Sequence, residues 1–74
     1  MTKSERTRQF IIERSAPLLN TKGIAGTAMS DIMDATKMAK GGLYGHFESK
    51  DDLANAVVDH NLQQLSDSLN AAMA

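Results

Sequence analysis

Between positions 37 and 50 the sequence Lys-Met-Ala-Lys-Gly-Gly-Leu-Tyr-Gly-His-Phe-Glu-Ser-Lys gathers anion-binding side chains around a set of glycines. On a helix, Leu43 and Phe47 fall at i, i+4 and take the inward face, which puts Lys40 and Tyr44, also i, i+4, on another. That second face can offer an ammonium and a phenol, with an imidazole from His46, to a nucleic acid. Gly41 and Gly42 bare the backbone where a helix would press against a surface, which is useful beside phosphates and useless in solvent. Lys50, one residue past the cap expected at Ser49, adds a charge beside N-terminal amides, together a ready anion site. Two short helices joined by about three residues, the second carrying these groups, form the pattern of a helix-turn-helix.

Each residue also has a plainer reading. The glycines fit a loop, Tyr44 fits the edge of a core, His46 fits a hydrogen-bonded structural histidine, and Lys3, Arg6 and Arg8 fit a solvated tail. The interest lies in their order and spacing.

Other chemistries find little support. Two histidines, His46 and His60, form no His-x-x-x-His pair, and no serine stands beside a base; Lys40 precedes Gly41-Gly42, the reverse of a Gly-x-x-x-x-Gly-Lys phosphate loop. Asp31 and Asp34 share a helix face as surface acids do. With no cysteine in the sequence there is no disulfide framework and no thiolate metal site to build from it. We expect no enzyme, no cofactor and no metal. The polar stretch from Met1 to Gln9 has no secretion-signal core, and no apolar run approaches the roughly 18 residues of a membrane span. The expected location is the cytoplasm, without a membrane partner.

The elements that must position this constellation are all helical. A first helix is expected over about 3–22, with Ile12, Ala16 and Leu19 at i, i+4, i+7, flanked by Ile11 and Leu18, Pro17 kinking it and Gly23 stopping it. Gly26 opens the loop that follows. Thr27 is expected to cap a second helix over about 28–35, with Asp31 near its positive end and Met29, Ile32 and Met33 buried. A third helix over about 39–47 contains Gly41, Gly42 and Gly45, each costing roughly 1 kcal/mol relative to alanine, so packing must hold it. Ser49 caps a fourth, whose apolar residues run through Leu53, Val57, Val58, Leu62, Leu65, Leu69, Ala72 and Met73. It extends about 36 Å at 1.5 Å per residue. The stripe outreaches a 50-residue bundle, which suggests the N-terminal part of a longer protein.

The 74 residues, 42% hydrophobic and 23% charged, have the composition of one small folded domain. A formal charge of −1 argues, taken whole, against a nucleic-acid partner. The distribution reverses that argument. All eight Lys and Arg lie in the first 50 positions with five acids, a net of +3, whereas the last 24 residues carry four aspartates and no cation, a net of −4.

Taken in order, Thr7-Arg8, Ile12, Ala16, Leu19, Gly23, Thr27, Ile32, the run from Lys40 to Lys50, and Leu53 resemble the DNA-binding domain of the tetracycline-repressor (TetR) family of bacterial transcription regulators. The resemblance covers about residues 7–53. It implies an all-α, homeodomain-like three-helix bundle with a helix-turn-helix over 1–50 and a longer connecting helix over 49–74. It further implies a ligand-responsive repressor, a homodimer joined through a C-terminal domain that also binds a small-molecule effector, with helix 3 reading a palindromic operator in the major groove of double-stranded DNA. By position, Thr27 would touch a phosphate, Ser30 would point to bases or backbone, and Lys40, Gly41 and Gly42 would lie at the start of the reading helix. Tyr44, His46 and Lys50 would hold phosphates.

Three residues depart from the family pattern. Met33 replaces a usual alanine and needs more room. Lys37 stands where glycine is usual; a turn of positive φ there would carry strain of about 1 kcal/mol, offset if its ammonium reaches a phosphate. Ala39 replaces the usual serine cap, a loss of order 1 kcal/mol. The competing reading is a helical protein-interaction module that docks a partner on the helix 4 stripe.

Overall fold

The computed structural model describes residues 2–73, with side chains through residue 70. Four helices follow in order: α1 (Lys3–Gly26), α2 (Met29–Thr36), α3 (Lys40–Tyr44) and α4 (Lys50–Met73), and no strand occurs among the described residues. Helix α1 packs against both α4 and α2, and α2 packs against α3. The core takes Ile11, Ile12, Ala16 and Leu19 from α1, Ile32 from α2, Leu43 and Phe47 from α3 and the turn after it, and Leu53, Ala54, Ala56 and Val57 from α4. Met29, Met33 and Met38 are partly buried and pack on it from the side.

Each helix end has an identifiable cause. The Thr2 hydroxyl accepts from the Glu5 amide at 3.1 Å and starts α1. Pro17 stays within the helix, and Gly23, at φ 75° and ψ 171°, is where its backbone leaves the helical region. Pro17 and Glu13 are exposed, so the Glu13 carbonyl that loses its amide partner can turn to water. Gly23 breaks the helix as the sequence indicates, but a further turn carries α1 on to Gly26.

That extra turn changes the role of Thr27, which does not cap α2. Its side chain is buried, 1% exposed, and its hydroxyl donates back to the Gly23 carbonyl at 2.8 Å, with the Leu18 carbonyl at 3.5 Å. It satisfies a carbonyl released by the break. The cap of α2 is Ala28, whose amide donates to the Asp31 carboxylate at 3.0 Å. At the other end Lys37 is left-handed, φ 59° and ψ 30°, and the Met38 amide closes back on the Met33 carbonyl at 3.3 Å, as in a Schellman ending.

Helix α3 has five residues, fewer than the expected 39–47: it starts after Ala39, which provides no side-chain cap, and ends at Gly45, beyond which the His46 amide closes on the Leu43 carbonyl at 3.0 Å in a tighter turn. Its inward face is nevertheless as expected, with Leu43 fully buried and Phe47 2% exposed. Ser49 caps α4: its hydroxyl accepts from the Asp52 amide at 3.2 Å, and the Asp52 carboxylate accepts from the Glu48 amide at 3.1 Å. Farther along, the Asn61 amide group donates to the Asn20 side-chain oxygen at 2.8 Å and ties α4 to α1. The stripe on α4 divides. Leu53 and Val57 are buried, Val58, Leu62, Leu65 and Leu69 are 51–59% exposed, and the side chains of Ala72 and Met73 lie outside the described residues.

Among the described residues, one buried side-chain polar atom lacks a partner. The Ser15 hydroxyl is fully enclosed and makes no hydrogen bond, and a buried unsatisfied hydroxyl costs about 1–3 kcal/mol. Ser15→Ala, which removes the hydroxyl and leaves almost no cavity, is expected to stabilise the fold by about 1–2 kcal/mol, raising the melting midpoint by several degrees for a domain of this size. A lower midpoint by circular dichroism would show that the hydroxyl is satisfied in solution.

Candidate nucleic-acid interface

The surface built by the end of α2, the turn and α3 carries most of the residues singled out in the sequence. Ser30 is exposed on the first turn of α2, Lys37 and Ala39 are exposed in the turn, and Lys40, Gly41 and Gly42 are exposed at the start of α3. Leu43 beneath them fixes the helix to the core. The i, i+4 pairing of Lys40 with Tyr44 is realised: the ammonium lies 5.8 Å from the centre of the Tyr44 ring, which is 41% exposed. His46 and Lys50 are half-buried in the turn after α3 and at the first residue of α4. Thr27 does not join this surface, since its hydroxyl is buried and turned to main-chain carbonyls.

The charges of this surface are unspent. Among the described residues the ion pair formed is Lys22 with Asp31 at 3.9 Å, leaving Lys37, Lys40 and Lys50 with no carboxylate in range. Exposed amines without internal partners are the groups a phosphate would meet first.

Of the glycines at positions 41 and 42, Gly41 has no internal justification and Gly42 only a close side-chain neighbour. A Cβ placed on Gly41 meets nothing within 4 Å, and one on Gly42 meets the flexible end of the Met38 side chain at 3.2 Å. Neither has a positive φ; that conformation belongs to Gly23 and Lys37. The packing of the chain would accept alanine at position 41, which would also favour the helix.

The sequence reading gave Arg8 no site role beyond a solvated tail. Its guanidinium lies over the ring of Phe47, 4.9 Å from the centroid, at the junction of α3 and α4. Nothing local in the sequence signals this contact, because it is made by tertiary packing across most of the domain.

The profile of the family described as "Bacterial regulatory proteins, tetR family" matches residues 11–57. The probable acrEF/envCD operon repressor of Escherichia coli is 39% identical over 56 residues, covering 73% of this chain and 26% of that protein. The HTH-type transcriptional regulator TtgR of Pseudomonas putida is 31% identical over 70 residues, covering 95% of this chain and 33% of its own. The crystal structure of a TetR-family transcriptional regulator from Cytophaga hutchinsonii matches with a TM-score of 0.92 at 48% identity, over 96% of this chain and 36% of that one. The chain thus spans about a third or less of the length of the curated proteins it resembles.

Lys37 holds a left-handed φ that a non-glycine residue adopts at a cost of about 1 kcal/mol. Lys37→Gly is expected to stabilise the fold by about 0.5–1 kcal/mol, because glycine adopts that φ without steric cost. A melting curve with an unchanged or lower midpoint would show that the turn holds Lys37 without strain.

Proposed function

This chain belongs to the tetR family of bacterial regulatory proteins, and we propose that it is the DNA-reading part of a transcription regulator, with α3 lying in the major groove of an operator. The observation that carries this reading is the exposed Gly41 at the start of α3, where a side chain would meet nothing inside the protein. The requirement comes from outside. A helix that must bring its backbone close to a groove cannot carry side chains at the point of contact.

The remaining groups divide by chemistry. Lys40 at the start of α3 is placed to reach base edges or the adjoining phosphate, while Tyr44, His46 and Lys50 hold the sugar-phosphate backbone and so set register rather than sequence. Lys37 and Ser30 extend the phosphate contacts toward α2. A head that neutralises about four to six phosphates has an affinity that falls with salt at a logarithmic slope near −0.9 per phosphate. The repressor names of the relatives support a repressing role. Two such heads joined through a further domain would read a palindrome, and a small effector bound there would alter their separation. The exposed α4 stripe of Val58, Leu62, Leu65 and Leu69 favours an additional protein contact on that side, compatible with DNA reading by α3.

Gly41→Ala separates DNA reading from a purely protein-docking function. On a palindromic duplex selected by the protein, its affinity is expected to fall about tenfold or more while thermal stability holds or rises by up to about 1 kcal/mol. Unchanged DNA affinity in a gel-shift titration would overturn the placement of α3 against the groove.

A further inference from the structure

We infer that Arg8, from the first turns of α1, is a phosphate-binding residue of the DNA interface, seated for that purpose on Phe47. The inference rests on the DNA-reading function proposed above and extends its interface to a helix that the α2–α3 surface does not include.

Phe47 is an unusually fixed platform. Its ring is 2% exposed and belongs to the core, and its amide is bonded to the Leu43 carbonyl at 3.0 Å. The guanidinium 4.9 Å from its centroid is therefore held by tertiary structure, not by a neighbour on the same helix. The other two such contacts differ. Arg14 lies 5.4 Å from Phe10, a partly exposed ring four residues before it, and Lys40 lies over Tyr44, also four residues away. Arg8 alone among the three joins α1 to the turn that carries His46 and leads to Lys50.

What that position leaves free is the chemistry of interest. A guanidinium stacked on a ring keeps its N–H edge available, and that fork matches two oxygens of a phosphate. Arg8 is exposed, and no carboxylate lies within ion-pair distance of it among the described residues; Glu5 and Glu48, its acidic neighbours along the chain and across the contact, do not pair with it. An arginine in solvent loses much rotamer freedom when it binds a phosphate, whereas one already placed on a ring loses less.

The test uses the 74-residue chain and a fluorescein-labelled, mixed-sequence DNA duplex of about 30 base pairs, titrated by anisotropy across a salt series. Arg8→Met keeps an unbranched stem over Phe47 and removes the charge. It is expected to weaken binding about three- to tenfold at low salt and to reduce the magnitude of the salt slope by about 0.9, the signature of one lost phosphate. Arg8→Lys is expected to keep the slope with a smaller loss of affinity. Arg8→Gln gives a second neutral reading if the methionine variant does not fold by circular dichroism. Wild-type affinity and slope in a folded neutral variant would overturn the inference and leave Arg8 as a cover for Phe47. Absence of wild-type binding at low salt would instead overturn the DNA-reading function itself, and this inference with it.

Discussion

The burial of Leu43 and Phe47 is the contact on which the rest of the surface depends. Helix α3 has five residues, two of them glycine, no side-chain cap and few hydrogen bonds of its own, so in isolation it would not form. The two side chains convert it into an appendage of the α1–α4 core: Leu43 anchors its inner face, and Phe47 anchors the turn that follows. The glycine content of the outer face is tolerable because stability is supplied from the inner one. The same arrangement frees the outer face from structural duties, so its residues can be chosen for what they meet outside the protein.

Much of this architecture was legible because it follows from periodicity. The spacing of Ile12, Ala16 and Leu19, of Leu43 and Phe47, and of Leu53 and Val57 placed the core, and the Ser-Lys-Asp-Asp start placed the cap of α4. The positive φ of Lys37 and the missing cap at Ala39 were readable through the family resemblance, since each stands where the family pattern usually has another residue. What escaped was decided by competition among partners. Thr27 could cap the helix after it or satisfy the helix before it, and the fold buries its hydroxyl where the carbonyl released at Gly23 is the acceptor in reach. Pro17 looked disruptive because its exposure could not be seen in the sequence. The contact of Arg8 with Phe47 required the packing of α1 against α4, which no local pattern encodes.

The two halves of the charge distribution have separate structural roles. The cations on the α2–α3 side stand mostly without internal partners, while the acids opening α4 are partly used by the chain itself, Asp52 closing on the Glu48 amide. Asp51 and Asp52 lie in the first turn of α4, where a helix favours negative charge. Lys50 at that same terminus is thus flanked by carboxylates with a helical reason for being there, and it remains the last cation before a stretch that carries only acids.

The Asn20–Asn61 tie between α1 and α4 is uncharged, as is the apolar packing around it. The described ion pair, Lys22 with Asp31, is about half exposed and of the kind that contributes at most about 1 kcal/mol. Ionic strength therefore has little grip on the folded domain while having a strong one on exposed cations facing a polyanion. On the proposed DNA-reading function, fold and binding would respond to different variables: salt would dissociate the head from its partner without loosening it, and what is released would be a folded head ready to bind again.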